Sequence, residues 1–236
     1  MKYMGSKNRI AKEILPIILK DRKENQFYIE PFVGGANLID KVPNPRIGSD
    51  LNENVILALN CIQNHLYLIP KDNKEFTEED YKNIKKSGQN DVIAYVGFAL
   101  SYSGKWFGGW CRDKDRKRDY VKEAYKNALK QHPKLQGINL IHSDYRSLFI
   151  PKNSIIYCDI PYKNTTKYKN NDFDYNVFWE WCRNMTKKGH KVFISEYNAP
   201  EDFKCIWQKE QVSSLTKNTG SKRAIEKLFI WSSKEE

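Results

Sequence analysis

The run Tyr157-Cys158-Asp159-Ile160-Pro161-Tyr162 places an acid, a proline and an aromatic within four positions at the end of an apolar segment. That segment, Ser154-Ile155-Ile156-Tyr157-Cys158, is β-favouring and apolar, the pattern of a buried strand. Pro161 has no N–H to give and biases residue 160 toward an extended conformation. The carbonyls of Asp159 and Ile160 are thereby kept out of a helix and can face a cleft. A carboxylate and a carbonyl can each accept one hydrogen of an exocyclic NH2, while the ring that bears it stacks on Tyr162. The chemistry on offer is recognition of a planar amino-bearing ring. A strand closed by a proline turn has the same local pattern, so the rest of the chain must decide.

Several elements have to position this turn. Gly5-Ser6 followed by Ile10, Ala11, Ile14 and Leu15 reads as a capped amphipathic helix that Pro16 bends or shortens. Phe27-Tyr28-Ile29 is a short strand, and Glu30-Pro31-Phe32-Val33-Gly34-Gly35-Ala36 is the loop leaving it, with a helix expected to begin over Ala36 to Asp40. Arg46-Ile47-Gly48-Ser49 is a second strand, closed by Asp50-Leu51-Asn52-Glu53. Asn52 or Asn54 caps a helix through Ile56, Leu59, Cys61 and Ile62. Strand, glycine loop, helix, strand and acid open a doubly wound α/β sheet. Glycines let the backbone approach a ligand and an acid at the next strand tip can bind ribose hydroxyls, although the spacing is not that of a dinucleotide fingerprint.

The parallel pattern resumes at Asn139-Leu140-Ile141-His142, ending in Ser143-Asp144-Tyr145, and continues through the Tyr157 strand. A helix is predicted over Asn176 to Thr186 with Val177, Trp181 and Met185 on one face, then a strand over Lys191 to Ser195. Cys205 to Leu215 and Ala224 to Trp231 alternate as the arms of a hairpin around Thr216 to Ser221.

Between about Leu66 and Gly137 the character changes. Thr77-Glu78-Glu79-Asp80 caps a polar helix, and Asp91 to Leu100 is strongly apolar. Ser101-Tyr102-Ser103-Gly104-Lys105-Trp106-Phe107-Gly108-Gly109-Trp110 follows, then the mixed but mainly basic Arg112-Asp113-Lys114-Asp115-Arg116-Lys117-Arg118. A helix with Val121, Ala124, Tyr125, Ala128 and Leu129 closes the segment at Pro133. Aromatics among glycines beside cations suit a nucleic-acid surface, with cations for phosphates and flat faces for bases. Trp106 and Phe107 taken singly also fit a core aromatic cluster.

Across 236 residues, Lys and Arg total 40 against 29 Asp and Glu, a net charge of +11 that favours a polyanionic partner, nucleic acid before an anionic membrane surface. Cys61, Cys111, Cys158, Cys182 and Cys205 form no CxxC pair. With His65, His132, His142 and His190 they give no metal-ligand spacing, so reduced thiols and no metal are expected. No run approaches the roughly 18 apolar residues of a membrane span, and the reading is of a soluble cytoplasmic protein.

In this order the motifs resemble those of the S-adenosylmethionine-dependent DNA adenine-N6 methyltransferases of the Dam type, especially short phage and prophage forms. Tyr3-Met4-Gly5-Ser6-Lys7 resembles the family's N-terminal cofactor motif, and Glu30-Pro31-Phe32-Val33-Gly34-Gly35 its glycine loop around the methionine moiety. Asp50-Leu51-Asn52 resembles the ribose-binding acid, and Asp144-Tyr145 the residues beside the cofactor adenine. Asp159-Ile160-Pro161-Tyr162 falls where the catalytic Asp-Pro-Pro-Tyr stands, and Glu226-Lys227-Leu228-Phe229 resembles the last strand. Ile160 replaces the usual proline, the loop reads Gly-Gly-Ala where Gly-Ala-Gly is frequent, and the Asn-Val-Pro-Tyr-Gly segment of GATC-specific members is absent.

The resemblance implies a Rossmann-like class I methyltransferase sheet with a C-terminal antiparallel hairpin and a mainly helical insertion. The cofactor-binding catalytic domain would be 1–65 with 138–236, and 66–137 the inserted DNA-binding subdomain. It implies that Asp159 and the Ile160 carbonyl accept the two N6 hydrogens of a flipped adenine, and that methyl transfer is direct, with no nucleophile drawn from the cysteines. The expected DNA contacts are Lys105, Trp106, Arg112, Lys114, Arg116, Lys117 and Arg118. Lys163, Thr165, Thr166, Lys167 and Lys169 behind the motif, and Lys217, Lys222 and Arg223 of the hairpin, complete that set. With a short insertion, recognition of a very short or relaxed site is expected, and a stand-alone enzyme, a restriction partner and a phage-protection device would share this sequence pattern. An RNA or protein-amide methyltransferase, or a non-catalytic nucleic-acid-binding relative, stands as the alternative.

Overall fold

In the computed structural model, residues 1–113, 115, 117–162, 173–212 and 223–232 are described. Seven strands form one sheet in the order β3-β2-β1-β4-β5-β7-β6, where β1 is Tyr28–Glu30, β2 Arg46–Asp50, β3 Ile138–His142, β4 Ile155–Asp159, β5 Lys191–Glu196, β6 Phe203–Val212 and β7 Arg223–Trp231. The first five are parallel to one another. β7 runs antiparallel to both β5 and β6. This is the doubly wound sheet with a C-terminal antiparallel hairpin that the motifs led us to expect.

The central strands β1, β4 and β5 are almost wholly buried because both faces are covered. Side chains alternate across a strand, so Ile155 and Tyr157 of β4 enter one core while Ile156 and Cys158 enter the other. On the first face lie α1 (Ala11–Ile18), α2 (Glu53–Asn64), α4 (Asp91–Ala99) and α5 (Tyr120–Leu135), contributing Ile14, Leu59, Tyr95 and Ala128 among others. On the second lies α6 (Tyr175–Lys187) with Phe178, Trp181 and Cys182. Each large apolar side chain fully buried in this way contributes about 1.5–3 kcal/mol. The segment 66–137 supplies α3 (Glu78–Ile84), α4 and α5, and Tyr95, Val96 and Phe98 of α4 share a core with Tyr157.

Caps follow the sequence. Asn52 accepts the Asn54 N–H at 3.1 Å ahead of α2, and Thr77 and Asp80 form a reciprocal capping box on α3. Asp174 accepts from the Asn176 and Val177 N–H groups at 2.9 and 3.0 Å.

Four local expectations are corrected. No α-helix follows the glycine loop, where a 3-10 turn at Ile39–Lys41 stands instead. Ala36 sits at a left-handed φ of 55°, which cannot start a helix, and Val42 is extended ahead of Pro43. Ser6 caps a 3-10 turn at Lys7–Arg9, and α1 begins at Ala11 and contains Pro16. α5 continues through Pro133 to Leu135, because a proline in the last turn costs only the bond to the carbonyl of half-exposed Leu129. Val177 is 42% exposed, the buried face of α6 being turned by one residue to Phe178, Trp181 and Cys182. The five cysteines are free, Cys205 exposed and the others buried. No helix among the described residues is long and apolar enough to cross a membrane.

Candidate active site

Strand order reverses between β1 and β4, and in open α/β sheets the crevice outside the carboxyl ends of the strands at such a point takes the ligand. Asp159 is the last residue of β4 and leaves the sheet there. Its Oδ1 lies 3.2 Å from Lys7 Nζ, which lies 3.0 Å from Glu226 Oε1 on β7. The same ammonium stands 4.3 Å from the centroid of the Tyr162 ring. The Tyr162 hydroxyl donates to Glu226 Oε1, and the ring meets Tyr197 edge-on at 4.6 Å. Pro161 delivers its carbonyl to the Tyr175 hydroxyl at 2.8 Å, which anchors the turn to the start of α6. Ile160 is buried at 2% exposure.

The electrostatics follow from burial. Loss of solvent pushes Asp159 up to about 6, Lys7 opposing the shift and Glu226 adding to it. Burial works against the Lys7 charge, yet Asp159 and Glu226 together hold its ammonium above the ordinary lysine value. At neutral pH the cluster is therefore a lysine cation shared by two acids at the carboxyl end of β4.

The glycine loop packs against the N-terminal motif. Gly34 is left-handed at φ 48°, and a Cβ built on it would stand 3.0 Å from the Tyr3 ring. A Cβ on Gly35 would lie 2.6 Å from Asn37 Nδ2 and 2.7 Å from the Met1 carbonyl. The Gly34 N–H donates to Asp50 Oδ2 at 3.1 Å and the Asn52 N–H to Oδ1 at 2.9 Å. Each Asp50 oxygen thus keeps acceptor capacity for a further donor. Burial pushes Asp50 up to about 6, with the two N–H bonds pulling the other way. Leu51 is 65% exposed and Asn52 serves as the cap of α2. Glu30 ends β1 in the core, accepting from the Tyr28 hydroxyl at 2.9 Å, and burial drives its carboxyl well above the usual range. Pro31 is buried next to it.

Phe32 and Tyr145 meet with ring centroids 5.3 Å apart, and Tyr145 also packs on Trp181 at 5.2 Å. The Asp144 carboxylate is chelated by Arg146, Nε to Oδ1 at 2.9 Å and Nη2 to Oδ2 at 2.6 Å, which holds it below the ordinary value.

The basic segment is dispersed. Lys105 is exposed and Trp106 is 41% exposed, its ring seated on Phe98 at 5.0 Å and Phe107 at 4.8 Å. Arg112 pairs with Glu78 at 3.4 Å, and Arg118 binds both carboxylate oxygens of Glu123. Lys117 is solvent-exposed, 4.0 Å from Asp115. Lys114, Arg116, Lys163, Thr165, Thr166, Lys167, Lys169, Lys217 and Lys222 lie outside the described residues, as does the side chain of Arg223.

Reasoning from sequence named the Glu226 motif without giving that residue a part in the site. The signal was available: alternation puts Glu226 on the same face as fully buried Leu228, where an acid needs a partner. Tyr175 and Tyr197 carried no comparable signal.

The strand order, the antiparallel seventh strand and the acid at the switch point define a class I methyltransferase fold. Residues 3–96 match the family described as D12 class N6 adenine-specific DNA methyltransferase. Over the span holding the N-terminal motif, the glycine loop and the Asp50 turn, the chain is accordingly similar to that family. The Asp159–Tyr162 turn lies beyond the matched span. Solved structures similar to this chain include yhhF of Escherichia coli, described as a methyltransferase (9% identity, 98% of this chain and 88% of that one, TM-score 0.41). A tRNA (m1A58) methyltransferase, TrmI from Aquifex aeolicus, matches at 8% identity over 94% of this chain and 69% of its own, with TM-score 0.38. SMU.472, a methyltransferase complexed with SAH, matches at 9% over 98% and 55%, with TM-score 0.36. No curated protein matches the chain.

Proposed function

We propose that the chain transfers the methyl group of S-adenosylmethionine to N6 of adenine in DNA. The observation that carries this reading is the Lys7, Asp159, Tyr162 and Glu226 cluster at the carboxyl end of β4, beside the glycine loop. The residues present fit the cofactor: Asp50 holds acceptor capacity for ribose hydroxyls, Gly34 offers close backbone approach, and Phe32 with Tyr145 forms an aromatic wall for an adenine. Tyr3 and Lys7 close the other side of the glycine loop. When bound, S-adenosylmethionine supplies an electrophilic methyl group.

The chain's own work is positioning. A target adenine leaves the helix at a cost of a few kcal/mol, roughly offset by stacking on Tyr162 and by edge hydrogen bonds. The Asp159 carboxylate, ionised at neutral pH, accepts one N6 hydrogen and the Ile160 carbonyl the other, which directs the nitrogen lone pair toward the methyl. Isoleucine at 160 serves because the group used is the backbone carbonyl. The Pro161 carbonyl, already bonded to Tyr175, fixes the turn that presents it. Preorganised acceptors of this kind lower the barrier without a covalent enzyme intermediate, and as the N–CH3 bond forms one N6 proton leaves by way of the Asp159 carboxylate.

DNA is held by the 66–137 segment in this reading. Lys105 and Lys117 meet phosphates, Trp106 offers a flat face, and Arg112 and Arg118 exchange their present carboxylates for phosphates. Recognition is of a short or relaxed site, and a cytoplasmic restriction–modification or phage-protection role accords with it.

The test uses purified protein, tritiated S-adenosylmethionine and unmethylated DNA, single- and double-stranded, with Asp159→Ala as control. Label in N6-methyladenine, lost in the control, is expected. Label in RNA or protein but not in DNA, or cofactor binding with no transfer at all, would overturn the reading.

A further inference from the structure

Lys7 stands where the substrate's amino group is expected. Its Nζ is 3.2 Å from the Asp159 carboxylate and 4.3 Å from the centre of the Tyr162 ring. Those are the two groups that the methyl-transfer reading assigns to the adenine, one as hydrogen-bond acceptor and one as stacking face. An ammonium set over an aromatic face and against a carboxylate satisfies both. Base and ammonium cannot use that volume together. The ammonium has a second partner, Glu226 Oε1 at 3.0 Å, whose side chain is 10% exposed.

We propose that Lys7 is a placeholder for the adenine amino group, and that Glu226 is the positioning residue that retains Lys7 when the base enters. The inference rests on the methyl-transfer reading of this site. The movement required is small, since Lys7 already contacts both acids and has only to give up one. Glu226 belongs to β7, inside the sheet, and also accepts from the Tyr162 hydroxyl, so the partner that keeps the lysine also fixes the ring on which the base stacks. Before entry, one cation bridges two acids. After entry, Lys7 and Glu226 form a closed pair and Asp159 is released to the N6 hydrogens. Without Glu226, Lys7 would be held by Asp159 alone, and the base would have to break an unshared buried ion pair.

Among the described residues, the groups acting on Asp159 are Lys7 from the N-terminal turn, Glu226 from β7, Glu30 from β1, Tyr157 from β4 itself, Tyr162 from the turn and Tyr197 beyond β5. Lys7 is the cation of that set. The consequence is a division of labour: Glu226 governs how readily adenine enters, Asp159 what happens once it is there.

The test compares wild type, Glu226→Gln, Glu226→Asp and the double variant Lys7→Met/Glu226→Gln on one adenine-containing oligonucleotide. In Glu226→Gln the KM for DNA should rise about tenfold or more with kcat changed little, the scale of losing a hydrogen bond to a charged group. Glu226→Asp, which keeps a carboxylate at shorter reach, should give an intermediate KM. The double variant, lacking both the placeholder and its partner, should return the KM for DNA toward wild type when assayed at saturating S-adenosylmethionine, since Lys7 also belongs to the cofactor motif. A fall in kcat at unchanged KM, or a double variant with KM as high as the single, overturns the proposal. A readout independent of turnover is the carbon-13 NMR titration of Asp159 in cofactor-free protein. Its midpoint should move down in Glu226→Gln, because a neighbouring negative charge has gone, and no movement counts against the ion triad. Failure of wild type to methylate any DNA would instead remove the methyl-transfer reading, while the NMR arm still reports on the triad.

Discussion

Replacing Asp159 by asparagine is expected to stabilise the protein at pH 8 while abolishing methyl transfer. The carboxyl is pushed from 3.8 to about 6, chiefly by burial, Lys7 recovering part of the cost and Glu226 adding to it. A raised acid pKa means that the folded state holds the proton more tightly than the unfolded state. Ionising Asp159 therefore costs folded-state stability above about pH 6, and that cost disappears as pH falls toward 3.8. A shift of about two units, at 1.36 kcal/mol each, amounts to at most about 3 kcal/mol. Asparagine has the same shape and no charge to desolvate, and Lys7 keeps Glu226 as its partner. The variant should exceed wild type by up to about 3 kcal/mol at pH 8, or about 6–12 °C in Tm for a chain of this size, and the two should converge near pH 4. Denaturant titrations of both proteins across pH 4 to 8 would measure this. A pH-independent difference, or a variant less stable at pH 8, would refute the view that burial dominates at Asp159.

Asp50→Ala should lower S-adenosylmethionine affinity at least tenfold by calorimetry. It should also cost about 1–3 kcal/mol of stability, because the Gly34 and Asn52 N–H groups lose their acceptor. Gly97→Ala places a Cβ 2.5 Å from Trp106 Cζ3 and 2.8 Å from Phe107 Cε2, so both rings must shift. A destabilisation of about 1–3 kcal/mol with a changed tryptophan emission is the expected result. Lys105→Glu should weaken binding uniformly across DNA sequences. The slope of log affinity against log salt should fall by about one, the signature of one lost phosphate contact.

Much of the scaffold was legible because strands buried on both faces announce themselves as short apolar runs. β2, β3, β4 and β5 fell within a residue or so of their expected limits, and Asn52 and Thr77 mark helix starts by side-chain chemistry. Boundaries shifted where a local rule met a tertiary one. Pro133 is tolerated because the carbonyl it orphans belongs to a half-exposed turn, and the helix expected after the glycine loop yields to the left-handed Ala36 and the prolines that follow. Aromatic residues around Gly104 to Trp110 read equally as core or as surface, and Trp106 is both, one face on Phe98 and 41% of it exposed.

By itself the sequence determined which groups stand at strand ends: Glu30, Asp50, Asp144 and Asp159 each follow an apolar run, and a parallel sheet delivers such residues to one edge. What the tertiary structure alone decided is which of them share a site. Lys7 and Asp159 are far apart in the chain, and Glu226 reaches both because β7 enters the sheet antiparallel, next to β5, bringing an acid from the hairpin to the carboxyl edge. Asp144, with the same local signature, is instead claimed by Arg146 two residues on. A charge buried at a sheet edge takes whatever partner strand order brings within about 3 Å, and strand order is a property of the whole fold.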